Sequence, residues 1–299
     1  TTRIKLGAGV LIPSNRNATV AANAMASLNR LAPGRIICGL GTGNTGRRTI
    51  GLRAHKLAEL QDYTRVIREL LAGGMTHLEI EGADRKVRFL NPEIGLINID
   101  DPVPIHISAF GPRARVLAGE ISDGFINAWA GDASLGHVAE VREARGRTGR
   151  DPAGSYATCL NLGCVLADGE PADSARALAQ AGPYVAIVLH GWVEDGDLEA
   201  VPPPFRDTVA AFRTVYETYT PADARYLALH RGHLLFVRPD ERRFISEGMI
   251  RAFTLTGTRE EIRARVAQME AAGYDQVGIQ LVAGQEDAIE EWADVLMNR

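Results

Sequence analysis

The sequence predicts an α/β fold built on a parallel sheet covered by helices, and three observations carry that prediction. Short apolar segments recur along the 299 residues, most of them leading through a turn, often glycine-bearing, into a longer amphipathic stretch. The apolar segments read as near-continuous runs, as parallel strands buried on both faces do. With 45% hydrophobic and 23% charged residues and no low-complexity tract, the chain can bury a large core without disulfides or structural metals.

Taken in order, the expected strands are Ile4–Leu11, Arg35–Gly41, Pro104–Phe110, Gly124–Trp129, Ala157–Ala167 and Gln276–Leu281. The expected helices are Ala18–Leu31, Ala54–Leu71, Pro112–Ile121, Ser134–Arg147, Asp173–Gln180 and Ala288–Met297. Leu57, Leu60, Val66, Ile67, Leu70 and Leu71 mark one helical face, which Gly73-Gly74 ends. Thr258-Arg259-Glu260-Glu261 reads as a capping box opening a helix through Ala272, with Gly273 as its stop. Arg85–Leu90 reads as a short additional strand before Asn91-Pro92.

Residues 190–253 break the rhythm with Pro202-Pro203-Pro204 and helical stretches near Asp207–Tyr219 and Ala222–Leu235. We read one domain over 1–299, with 190–253 as an insertion or lid over one end of the sheet. Six βα units are visible where a closed (β/α)8 barrel needs eight. Two readings follow: a barrel lacking its two N-terminal βα units in this chain, or an open six-stranded doubly wound sheet.

Charge and pattern exclude several function classes. Thirty-three Lys+Arg against 37 Asp+Glu give a net charge of −4, without the basic footprint of a nucleic-acid binder. No run of eighteen apolar residues suggests a membrane span, and Thr1–Lys5 carry no signal-peptide core. Three cysteines are sparse and odd in number, so a reducing, cytoplasmic setting is expected. No carboxylate or cysteine accompanies His230 and His233 at ligand spacing, so no metal site is expected.

Gly41-Thr42-Gly43-Asn44-Thr45-Gly46 matches the dinucleotide fingerprint in letters. That fingerprint also needs an acidic residue ending a second strand about twenty residues on. Here Glu59 and Asp62 fall inside the helix that carries Leu57 and Leu60. A glycine-rich strand end approaching a flat ligand is the better reading.

Local chemistry points to two sites. Gly111-Pro112 opens a helix directly after a strand, where free amides and the helix dipole favour an anion and Arg113 adds charge. His190 ends the apolar run Val185–Leu189, and His230 and His233 lie three apart with Tyr226 one turn earlier. These four are the candidate catalytic proton donors or acceptors.

The residues also resemble a known family. Leu6-Gly7-Ala8-Gly9-Val10 with Arg16, and Gly34 through Gly43, look like the third and fourth strands of bacterial luciferase-like oxidoreductases. Pro104 through Pro112, then Leu117-Ala118-Gly119-Glu120 and Ser122-Asp123-Gly124, are similar to the fifth strand and its helix, in the style of the methylenetetrahydromethanopterin-reductase branch. Thr256-Gly257-Thr258, Glu261-Ile262 and Ala272-Gly273 resemble the last helix and strand. Asn17 departs from the pattern, standing where a histidine often follows the arginine, and 190–253 aligns with nothing recognisable.

The resemblance implies a TIM barrel that binds FMN or the deazaflavin F420 at the C-terminal ends of its strands. It places a ring-supporting bulge, often with a non-prolyl cis peptide, at Gly9-Val10. It places Thr42, Gly43 and Asn44 facing the pocket, with Thr42 and Asn44 at the polar edge of the ring, and Ser108, Ala109, Phe110, Gly111, Pro112 and Arg113 among the cofactor-binding residues, with Gly111-Pro112 and Arg113 at the phosphate. The expected activity is a reduced-FMN-dependent monooxygenase acting with O2 on a small organic substrate and supplied by a separate flavin reductase. The alternatives are F420-dependent hydride transfer and a non-catalytic flavin-binding homologue. Family members usually pair, so a homodimer is expected.

Overall fold

A computed structural model describes residues 3–297. They fall into two compact units, one formed by the chain up to Arg48 with Leu52–Asn127 and His137–Thr158, the other by Thr49–Gly51, Ala128–Gly136 and the chain from Cys159.

The first unit holds β1 (Leu6–Gly7), α1 (Ala18–Leu31), β2 (Ile36–Leu40), α2 (Asn44–Arg48), α3 (Leu57–Leu71), β3 (Thr76–Ile80), β4 (Ala83–Val87), β5 (Ile105–Ser108), α4 (Pro112–Ile121), β6 (Gly124–Asn127) and α5 (His137–Arg147). β7 (Tyr156–Asn161) begins here and ends in the second unit. The sheet runs β1-β2-β5-β6-β7, and the pairs β1–β2, β2–β5 and β5–β6 are parallel. Alternation along β2 buries Ile36, Cys38 and Leu40, and α1 and α3 bury Ala21, Ala22, Met25, Leu60, Val66, Ile67 and Leu70. The same alternation turns Ile37, Gly39 and Gly41 to the opposite face.

Helix ends follow the expected chemistry. Asn17 caps α1 by accepting from the Thr19 amide at 2.9 Å. Glu59 accepts the Lys56 amide at 2.8 Å, so α3 starts three residues later than the apolar pattern suggests. At the C-terminus of α4, Arg68, Arg145 and Arg150 donate to the carbonyls of Ile121 and Ser122, where cations suit the helix dipole. The additional strand expected at 85–90 is β4, three residues shorter at its end; it pairs with β3 through a Glu81-Gly82 turn with φ of 55° and 73°.

The second unit contains β8 (Val165–Leu166), α6 (Ala175–Gln180), α7 (Gly182–Asp195), α8 (Arg206–Tyr216), α9 (Tyr226–Leu229), α10 (Glu247–Phe253), β9 (Gly257–Thr258), α11 (Arg259–Ala271), β10 (Gln276–Ile279) and α12 (Ala288–Met297). The strand expected over 157–167 is broken at Leu162–Cys164, for a steric reason. A Cβ on Gly163 would lie 2.2 Å from the Leu255 carbonyl oxygen, and this close approach lets the chain exchange β10 for β9 as its partner. The Thr258–Glu261 capping box is present as expected.

Residues 190–253 are largely helical, and with α7 they share a core that gathers Val185, Leu189, Phe212, Leu229, Met249 and Ile250. The helix expected over 222–235 is reduced to Tyr226–Leu229, because Gly232 and Leu234 take positive φ of 80° and 55°. No helix among the described residues is long and apolar enough to cross a membrane.

Candidate cofactor site

The C-terminal ends of β1, β2 and β5 meet in the first unit. The Gly9-Val10 peptide is cis, at the position expected from the resemblance. Past Gly7 the chain leaves regular strand geometry, yet it remains bound to β2: the Ala8 amide donates to Ile37 at 3.2 Å and the Leu11 amide to Gly39 at 2.8 Å. Val10 thereby lies across β2. A Cβ on Gly39 would sit 1.9 Å from the Ala8 carbonyl oxygen and 3.2 Å from Val10, and one on Gly41 would sit 2.8 Å from Val10 and 3.4 Å from Ser108.

This accounts for the glycine fingerprint. Gly41 makes room for Val10, while a Cβ on Gly43 (φ +73°) or on Gly46 would lie 2.9 Å from the Ile12 side chain. The glycines admit the neighbouring segment, not a pyrophosphate, and Glu59 is engaged in capping α3. Thr42 is half-buried, and its carbonyl accepts the His55 amide at 2.9 Å. Asn44 is exposed and accepts from Arg48 at 2.8 Å. Arg47 donates to the Arg53 carbonyl and to His55, which in turn donates to Glu59 at 3.1 Å.

At the end of β5, Ser108 is half-buried beside Gly41, and Ala109 is fully buried with its amide bound to Ile126. Phe110, Gly111, Pro112 and Arg113 are exposed. Gly111 is the N-cap of the ten-residue α4, with φ −84° and ψ 156°. Pro112 occupies N1, no side chain caps the helix, and no acidic residue lies in its first turn. The first-turn amides of Arg113 and Ala114 therefore have no intrahelical acceptor. Beneath them the buried Arg115 donates to the Phe110 carbonyl and, at 2.8 Å, to Glu140 of α5. This arrangement suits an anion at the helix start.

The structure thus brings Gly9, Val10 and Ser108 together on the glycine strip, with Phe110 through Arg113 following directly on β5. Two further residues, Arg115 and His137, were outside the sequence reading of this end. Arg115 looks like any helix-face arginine; Asn127, whose place at a strand end makes it a candidate for lining the same mouth, is buried and donates to Nδ1 of His137 at 2.8 Å. Burial, then the nearby Arg115 charge, lowers the pKa of His137. His55 and His137 are half-buried and bonded.

The histidine candidates lie in the second unit. His190, after the apolar run Val185–Leu189, lies inside α7, 2% exposed, donating from Nε2 to Glu241 at 2.7 Å. His230 follows α9 and donates from Nε2 to Glu194 at 3.2 Å. His233 is half-buried with a pKa lowered to about 4, by burial first and then by His230 and His190. Tyr226 packs its ring on Gly51, where a Cβ would lie 2.7 Å away. Trp129 is buried, its amide bound to Asn161. Among the described residues no group of three or more His, Cys, Asp or Glu is arranged to hold a metal ion.

The family model for luciferase-like monooxygenases matches residues 1–276. The chain belongs to the luciferase-like family. A relative of this chain is the 5,10-methylenetetrahydromethanopterin reductase of Methanolobus tindarius, 28% identical over 282 residues, which are 93% of this chain and 77% of the relative. The F420-dependent glucose-6-phosphate dehydrogenase of Nakamurella multipartita is 38% identical over 134 residues, 42% of this chain and 38% of that protein.

Solved luciferase-like structures share the α/β fold. The coenzyme F420-dependent tetrahydromethanopterin reductase of Methanopyrus kandleri superposes with a TM-score of 0.66 at 21% identity, covering 100% of this chain and 84% of the other. The oxygenating constituent of 3,6-diketocamphane monooxygenase of Pseudomonas putida, in complex with FMN, superposes with a TM-score of 0.62 at 14% identity, covering 99% and 78%.

Proposed function

We propose that this luciferase-like chain is an F420-dependent oxidoreductase that transfers a hydride between the deazaflavin and a small organic substrate. The observation that carries the reading is Val10 seated across Gly39 and Gly41 at the strand ends. Two side-chain-free positions on one strand face, Gly39 and Gly41, bridged by one β-branched apolar side chain, give a shallow apolar support of the kind one face of a tricyclic ring needs. The bound deazaflavin supplies the hydride chemistry. The protein's own residues hold and orient the cofactor.

In this reading the first-turn amides of α4, with Arg113, take the phosphate group of the cofactor. Arg115 fixes the Phe110 carbonyl and so sets the direction in which those amides point. Thr42 and Asn44 offer hydrogen bonds to the polar edge of the ring. The choice of F420 draws on relatives that carry F420 in their names, the dehydrogenase of Nakamurella multipartita among them. FMN is the second reading, favoured by the likeness to an FMN-bound monooxygenase; there the same support would serve oxygenation with O2 and reduced flavin from a separate reductase.

Titration of the purified chain with F420 and with FMN, followed by cofactor fluorescence, tests the proposal. Binding of F420 with little or no affinity for FMN is expected. Binding of FMN alone would overturn the hydride-transfer reading and leave the monooxygenase. Binding of neither would overturn the cofactor site itself. Binding of F420 without turnover on methylenetetrahydromethanopterin, glucose 6-phosphate and a panel of secondary alcohols would favour the non-catalytic homologue.

A further inference from the structure

We propose that His190, His230 and His233, with Glu194 and Glu241, form a proton-operated latch that keeps residues 182–245 packed near neutral pH and releases them on acidification. The three imidazoles are contiguous. His190 meets His230 edge-on with ring centroids 5.6 Å apart, and His230 meets His233 at 5.9 Å. Nδ1 of each ring is buried without a hydrogen-bond partner. The rings lie beside the apolar core shared by α7, α8 and α10, where His190 stacks on Phe212 of α8 at 6.1 Å.

The charges around the cluster leave little room for another proton. From α7 come His190 and Glu194, the latter bonded to His230. From the segment after α9 come Arg238, Asp240 and Glu241. Glu241 is 1% exposed and already accepts from the Arg238 amide at 2.8 Å and from its guanidinium at 3.0 Å. From α8 and the turn after it come Tyr216 and Tyr219. Burial and the charge of Glu194 raise the pKa of Tyr216, whose ring faces Arg225 at 5.9 Å. Tyr219 accepts from Arg238 and donates to Asp240. A proton added to His190 or His233 would thus place a charge beside other imidazoles, with Glu241 already shared with Arg238. Burial is the first cause that lowers the pKa of both, and in His233 it is followed by the neighbouring histidines.

The sign follows from linkage. A free imidazole titrates near 6.5 and packed His233 near 4, so the released segment takes up the proton over that window. Packing is complete above about pH 6.5 and is lost as the pH falls toward 4. Between pH 7 and pH 5, His233 alone raises the opening constant about 20-fold. Opening would also free Gly51, on which Tyr226 rests. The latch is independent of the cofactor assignment.

Amide hydrogen exchange on the whole chain at pH 7 and pH 5, corrected for intrinsic rates, tests it. Peptides covering α7 and residues 226–245 are expected to lose protection about 20-fold or more at pH 5, while β2 and β5 keep theirs. His233→Phe should remove most of that loss; if this variant does not fold, His233→Asn removes the same titration. Equal protection at both pH values, an equal loss in variant and wild type, or a matching loss in β2 and β5 would overturn the latch.

Discussion

Replacing Gly39 by alanine should be among the most damaging single-methyl additions in the first unit. The added Cβ would lie 1.9 Å from the Ala8 carbonyl oxygen, and real Cβ contacts essentially never fall under 3.0 Å, so the backbone must retreat by at least 1.1 Å. The obstacle is main chain, so no rotamer change relieves it. Four hydrogen bonds tie this segment to β2: Leu6 to Arg35, Ala8 to Ile37, Leu11 to Gly39, and Gly41 to Leu11, at 2.8 to 3.2 Å. A retreat of that size weakens at least two of them, at about 1 kcal/mol each. Overpacking adds about 1–3 kcal/mol. The expected loss is therefore about 3–5 kcal/mol, read from the urea midpoint at unchanged m-value. Gly111→Ala is the control, because its Cβ meets nothing within 4 Å and its φ of −84° is ordinary. That variant should stay within about 1 kcal/mol of wild type. A Gly39→Ala protein within 1 kcal/mol of wild type would refute the close approach of Ala8.

Gly111→Val should leave the fold in place yet weaken cofactor binding several-fold or more in the fluorescence titration; unchanged affinity would remove the phosphate assignment. Gly111→Asp separates the two requirements more sharply, since a capping carboxylate should hold stability level or raise it by a few tenths of a kcal/mol while it occupies the amides and repels an anion. Glu170, whose carboxyl is held down to about 2 by hydrogen bonding to Arg176 first of all, contributes stability that is present above about pH 4.5 and lost as the pH falls toward 2. In Glu170→Gln the slope of stability against pH across that window should flatten; an unchanged slope would mean that the pair does not persist in solution.

Much of the first unit was legible because its information is local. The apolar faces of α1 and α3, the Pro112 start of α4 and the glycine end of α3 each follow from neighbours a few residues apart. The cofactor end was legible through the order of its motifs, and only in outline. Nothing in the letters separates a glycine that admits Val10 from one that admits a phosphate, since both are absences of a side chain. The second unit was harder for a different reason. Glu241 reaches His190 from 51 residues away, so neither the burial of the histidine nor its partner has a local signature. The run Val185–Leu189 reads as strand or helix by periodicity, and the Gly182-Pro183 start that makes it a helix is a weak signal. The long strand at 157–167 failed at Gly163 because its close contact, Leu255, is 92 residues away in sequence.

The contrast between Gly39 and Gly111 bears on how the site is assigned at all. Gly39 is required by the fold, since any side chain there would strike the main chain of Ala8. Its presence therefore says nothing direct about a ligand. Gly111 is not required by the fold: its backbone is extended, its Cβ direction is open, and a capping side chain would serve α4 at least as well. Gly111 thus sits, without packing demanding it, at a helix start with no acidic residue in its first turn and with a buried arginine beneath it. In the proposed reading an anion lies on those amides, and stability and affinity moving in opposite directions in Gly111→Asp is the signature that a purely structural glycine could not produce.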